Sequence, residues 1–324
     1  MERTWSISCH DNRQLSEISE SKFQPSGRFW SDLRNLVHML NATIHPCFVN
    51  IPKQESRFAG ISFKFDDFSF AILCKIFFSS PLKQIVFNNC SLSVIQINHL
   101  VTLRSLPHFQ SLQIDWNPVE NPMIFADLLS LDSKLHSLSL KSCNLDNESF
   151  SAICESLKTN KTLNFLDLYN NQISDLNKLS EALKENRSLV GLSLCSNDIR
   201  DENLSPLIGI IGKIFCTEED AQEFKRLEKE KAKKKVQEIG PLDMFKGDFT
   251  DEIEYNEESK EYFIMKNQVF RQFNLSLNKI SNDHYLRLLL GSALKSFRVL
   301  ITGNPLPESV KSSLGQAFAQ NVIV

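Results

Sequence analysis

Glycine occurs only ten times in this 324-residue chain. That is little for the backbone turns that enzymes place around phosphates and oxyanions, and no local Ser/His/Asp or Cys/His grouping compensates, so no catalysis is expected. The stretch Gly209-Ile210-Ile211-Gly212-Lys213 lacks phosphate-loop spacing and reads as part of an apolar helix. Eight cysteines are scattered without a C-x-x-C pair, which argues against a disulfide frame and for reduced, buried thiols. Cys9 with His10, and His45 with Cys47, match no compact metal loop, so neither metal nor cofactor is expected. An excess of one charge is missing too. The formal net charge is −3, no global field draws the chain to nucleic acid or anionic lipid, and glutamates neighbour the basic run Lys233 to Lys235. No segment approaches the ~18 apolar residues that span a bilayer. The opening MERTWSISCHDNRQLSE is too polar for a secretory signal. A cytoplasmic or nuclear protein is expected, in which N-x-S/T triplets such as Asn160-Lys161-Thr162 are chance matches.

With 42% hydrophobic and 23% charged residues, the chain can bury a sizeable core. What stands out is repetition. LNFLDLYNNQI, from Leu163 to Ile173, has leucine at its first, fourth and sixth places, asparagine at the ninth and isoleucine at the eleventh. The pattern recurs from Phe58, Leu82, Phe109, Leu135, Leu189, Phe270 and Phe297, at spacings of 24 to 28 residues except for one gap of 81. The Phe297 copy reaches Asn304 one residue early.

This arrangement resembles the leucine-rich repeat family, and its period with a helical second half resembles the ribonuclease-inhibitor-like branch. The resemblance implies an α/β leucine-rich repeat solenoid, curved, with parallel strands on the concave face and helices on the convex face. It implies a protein-binding scaffold or adaptor. It also admits regulators of enzymes or small GTPases, with Arg200 as the one weakly placed arginine, and cytoskeletal or ciliary components.

Period-two geometry reaches the same architecture from the residues. In Phe165 to Tyr169, Leu166 and Leu168 face one side of a strand, and Phe165, Asp167 and Tyr169 the other. At the ninth place Cys90, Asn117, Cys143, Asn171, Asn197 and Asn278 form a polar ladder, because a side chain there can satisfy backbone groups where the chain leaves the strand. Phe150, Ile153 and Leu157 keep helical spacing, as do Leu176, Leu179 and Leu183. A helix over Phe29 to Leu40 would cap one end, and one carrying Val310, Leu314 and Phe318 the other.

The expected organisation is a flexible tail (1–25), a helical cap (26–57), six repeats (58–215), a charged insertion (216–269), then two repeats and a C-terminal cap (270–324). ENLSPLIGIIGKIF is expected to complete a helix through Leu204, Leu207, Ile211 and Phe215. From Glu218 to Glu238 seven acids and seven bases alternate and read as a solvated helix. Asp243 to Glu261 carries eight acids against two lysines, a composition for a strap or a segment that orders on a basic partner. The strand face is the expected partner surface. Lys64, Asn88, Asp115, Lys141, Tyr169, Cys195 and Ser276 form one row, and Asp115, Trp116, Lys141, Phe165, Asp167 and Tyr169 are the candidate contacts.

Overall fold

The computed structural model describes residues 5–6, 22–41, 56–216, 218–219, 221–222, 226, 252–256, 261–293 and 296–324. Strand β1 (Trp5–Ser6) and helix α1 (Phe29–Met39) come first, then β2 (Arg57–Ile61), β3 (Phe63–Lys64), α2 (Asp67–Phe77), β4 (Gln84–Asn88) and α3 (Val94–Leu103). Next are β5 (Ser111–Gln113), a first 3-10 helix (Pro122–Leu129), β6 (Ser137–Ser139), α4 (Asn147–Thr159), β7 (Phe165–Asp167), α5 (Asn177–Glu185) and β8 (Gly191–Ser193). A second 3-10 helix (Asp201–Leu207) precedes β9 (Lys213–Cys216), β10 (Glu252–Asn256) and β11 (Glu261–Met265). The chain closes with β12 (Gln272–Asn274), α6 (His284–Ser292), β13 (Arg298–Leu300), α7 (Glu308–Ala317) and β14 (Val322–Ile323).

Nine of these strands form one sheet in the order β2-β4-β5-β6-β7-β8-β12-β13-β14, with every neighbouring pair parallel. Phe58, Ile85, Leu112, Leu138, Leu166, Leu192, Phe273 and Val299 stand side by side across it. Side chains alternate along a strand, so these residues and those two places on, such as Leu140 and Leu168, point toward the helices. All are buried, in one cluster running from Phe23 to Val322. The fold is an α/β leucine-rich repeat solenoid.

The sequence also specifies where helices begin. The Asp66 carboxylate accepts the Ser69 N–H at the start of α2, and Ser93 with Gln96 and Asp146 with Ser149 close capping boxes on α3 and α4. At the N-terminal end, buried Asp32 accepts hydrogen bonds from the Ser26 N–H, the Ser26 hydroxyl and the Gly27 N–H. This anchors α1, whose Phe29 stacks on Phe77 with ring centroids 5.6 Å apart.

Several sequence expectations shift. Phe58 pairs with Ile85, not with Leu82, so the first unit begins three residues earlier than its aromatic residues suggest; Phe58 is core and Ile61 is 65% exposed. The last unit begins one residue earlier, because Val299 pairs with Phe273, and Asn304 then falls at the ninth place without a deletion. A ninth strand, β14, adds a partial unit that the leucine spacing did not reveal.

The helix expected through Phe215 stops at Leu207, where Pro206 removes a backbone donor from the last turn. Residues 208–210 form a turn, Ile211 bridges Asn267, and β9 follows. Gly209 therefore sits in that turn and Gly212 in a bend after the bridge, both at positive φ and neither on a helix. Within the charged insertion, β9, β11 and β10 make an antiparallel three-stranded sheet with β11 central. That replaces part of the expected strap: Ile253 to Tyr255 alternates with the period of strands, and Tyr262 to Met265 is a short continuous apolar run of strand length. The remainder of the insertion, the basic run at 233–235 and the four Cys/His candidates at 9, 10, 45 and 47 lie outside the described residues.

Candidate functional site on the concave strand face

The ninth-place residues set the frame. Asn171 Nδ2 donates to the carbonyls of Leu140 and Leu168 at 3.0 Å, while its Oδ1 accepts the N–H groups of Cys143 and Leu145 at 3.1 and 3.0 Å. Asn117 makes the same set with Phe87 and Ile114, and with Cys90 and Leu92. Asn197, Asn278 and Asn304 each donate back to the unit before and accept from it. Cys90 and Cys143 supply the donor half through their thiols, to Gly60 O at 3.3 Å and Ile114 O at 3.1 Å. Burial pushes these thiols up to about 11 and about 12, so they stay protonated and keep donating.

A second asparagine ladder was not foreseen. Asn160, Asn186 and Asn267 stand three places before Leu163, Leu189 and Phe270, and all three are buried. Each Oδ1 accepts the N–H groups two and three residues on. Each Nδ2 reaches a carbonyl of the preceding unit: Leu129, Leu157 or Leu183. Recurrence of asparagine at that offset was the available signal, hidden because Asn160-Lys161-Thr162 and Asn186-Arg187-Ser188 look like glycosylation triplets.

The backbone enters the left-handed region just before each ninth place. Asn89, Ser142, Asn170 and Ser196 tolerate this, and Gly303 does so freely. Trp116 (φ 59°) and Leu277 (φ 55°) adopt the same conformation although both are bulky, and they are 50% and 53% exposed. Backbone strain is stored where a large apolar side chain faces water.

The centre of the strand face lies between β5 and β12. It encloses a groove of about 420 Å³ bordered by Gln113, Ser139, Lys141, Phe165, Asp167, Ser193, Gln272 and Asn274. The Phe165 ring lies across Gly191, where a Cβ would come within 2.9 Å of it, and Phe165 is 47% exposed. Lys141 Nζ pairs with Asp167 Oδ2 at 2.9 Å, and the Tyr169 N–H donates to Asp167 Oδ1 at 3.1 Å. Partial burial pulls the Lys141 ammonium down, but the hydrogen bond and charge of Asp167 and the charge of Asp115 outweigh it and raise its pKa.

The structure therefore brings Lys141, Phe165, Asp167 and Tyr169 together on this face, with Trp116 on its rim. Asp115 departs from the expectation of an open contact. It is 2% exposed; its Oδ1 accepts the Ser139 hydroxyl at 2.6 Å and the Lys141 N–H at 3.1 Å, and its Oδ2 accepts the Gln113 amide at 2.5 Å. A buried carboxylate so saturated braces two strands instead of meeting a partner. Cys195 and Ser276 are likewise buried, and Ile61, not Lys64, takes the first place in that row. Arg200 is exposed at the start of the second 3-10 helix, its N–H donating to Asn203 Oδ1 at 2.8 Å. Among the described residues no group of three or more His, Cys, Asp or Glu side chains is placed to hold a metal ion.

No family model matches this chain, and no curated protein matches it. Among solved structures it is similar to an internalin, InlF, of Listeria monocytogenes, at 14% identity and a TM-score of 0.38, covering 85% of this chain and 68% of that one. It is also similar to human 5T4 (Wnt-activated inhibitory factor 1, trophoblast glycoprotein), at 14% identity and a TM-score of 0.39, covering 83% of this chain and 88% of that one. The assignment of the fold rests on the strand register and the asparagine ladder themselves.

Proposed function

We propose that this protein is a non-enzymatic interaction module that holds a protein partner on its concave strand face, around Phe165, Lys141 and Asp167 and reaching Trp116. The observation that carries this reading is the Phe165 ring, held over Gly191 and half exposed beside an open groove. Rigid apolar area of this kind gives affinity at small entropic cost. The repeat spacing and the convex helices support placement in the ribonuclease-inhibitor-like branch, although two units carry 3-10 helices there. The division into tail, cap, repeats and insertion stands as part of the same reading, with the neck of the insertion moved to Gly212 and Lys266, whose N–H donates to the Gly212 carbonyl at 2.7 Å.

A reducing compartment, cytoplasm or nucleus, is supported by the free, buried thiols of Cys74, Cys90, Cys143, Cys154 and Cys195, and by the burial of the Asn160 and Asn186 amides. No helix among the described residues is long and apolar enough to cross a membrane.

The test is site-specific photo-crosslinking in cells, with the photoreactive residue at position 165 and, as a control, at Leu288 on α6, which is also exposed. Discrete adducts from position 165 that Leu288 does not give are expected. Equal patterns from both sites, or none from 165, would defeat the reading.

A further inference from the structure

Resting on that reading, the chemistry of the groove narrows what enters it. Gln84, Ser111, Ser137 and Gln272 are polar at the strand place that Phe165 occupies in its own unit. The aromatic ring is thus a local departure, and Gly191 on the next strand leaves the space for it: with any Cβ there the ring would have to move. A half-exposed aromatic ring that lines the groove offers a cation there its negative π surface.

The charges beside it are unbalanced in the same sense. Asp115 and Asp167 share a single ammonium, Lys141, and the local sum is −1. Asp115 is closed to a ligand, since it is buried and its oxygens already accept three hydrogen bonds. Asp167 keeps some: it lines the groove, a third of its side chain is exposed, and its known partners are one ammonium and one backbone N–H. A carboxylate oxygen pair offers about four acceptor positions, so it can take a further donor.

We infer that the groove receives an arginine side chain of the partner, its guanidinium stacked on Phe165 and donating to Asp167. A planar cation that stacks and donates along an edge meets both features at once, whereas a lysine ammonium uses the charge but makes no planar stack. The polar remainder of the rim, Ser193, Gln272 and Asn274, suits the solvated backbone of an extended segment. An acidic or purely apolar anchor would leave Asp167 repelled or idle.

The probe is N-acetyl-arginine amide, titrated into the full ¹⁵N-labelled chain and followed by amide chemical shifts, with the citrulline and lysine analogues beside it. Citrulline keeps the shape of arginine and removes its charge. Shifts localised to Asp167, Gly191 and Ser193 with arginine, at least tenfold weaker with citrulline and weaker with lysine, are expected. Asp167→Asn should abolish them. Lys141→Gln removes the competing ammonium and should tighten binding several-fold, a gain that partial unfolding does not produce. No localised shift with arginine, equal response to citrulline, or weakening by Lys141→Gln would overturn the inference. If the arginine test fails while crosslinks at position 165 persist, the chemistry assigned to the groove is wrong and the concave-face reading survives. If both fail, the reading itself falls.

Discussion

Asn186 illustrates what single side chains do in this molecule. Its amide serves Leu157 O and Asn160 O as donor, and the N–H groups of Ser188 and Leu189 as acceptor. Replacing it with alanine strands several buried backbone groups, and we expect Asn186→Ala to cost about 3 kcal/mol in urea unfolding, matching Asn171→Ala. Trp116 should behave in the opposite way. Asparagine accepts the left-handed backbone that tryptophan strains against, so Trp116→Asn is expected to raise stability by about 1 kcal/mol in a thermal melt while weakening partner binding. The buried thiols give a pH signature. Their folded-state pKa values lie above the ordinary thiol value, so the stability they confer is complete below about pH 9 and is lost as pH rises toward the folded values of Cys90 and Cys143. Urea midpoints at pH 7.5 and pH 10, compared with those of Cys90→Ser, would measure it. At this scale the ladder residues were legible because a polar side chain recurring among leucines has few reasons to be there. The burial of Asp115 was not, since it depends on Ser139 and Lys141 of the next unit, to which no local spacing points.

At the level of the element, the strand register decides which side chains are buried. The pairing of Phe58 with Ile85 places Phe58 in the core and Ile61 in water. Phe58→Ala should therefore cost about 4 kcal/mol, within the range for emptying a buried aromatic site, whereas Ile61→Ala should stay within about 0.5 kcal/mol. The reverse ranking in denaturant melts would restore the later start of the unit. Most strands could be read from sequence because alternating leucines have one buried face. The first could not, because phenylalanines at 58, 63 and 65 fit two registers equally well. The strands β10 and β11 were obscured differently, since acidic residues dominate the composition and conceal a short alternation between Ile253 and Tyr255.

The molecule as a whole is one interior shared by stacked coils, interrupted once. The interruption leaves and returns at adjacent points, with Ile211 bridging Asn267 and Gly212 bonded to both Lys266 and Asn267. Replacing residues 213–265 with two glycines should thus leave a single cooperative transition with a midpoint shifted by no more than about 3 °C, and two transitions in calorimetry would contradict that. The solenoid was legible at this scale because its period survives along the chain. The partner was not, because a binding preference resides in the groove that several strands build together.

The amide spine has a mechanical corollary. Each ninth-place asparagine grips the coil before its own, so a load applied at Val324 would be resisted stitch by stitch. Rupture would travel inward from the outermost coil, and the central coils, held on both flanks, would be the last to let go.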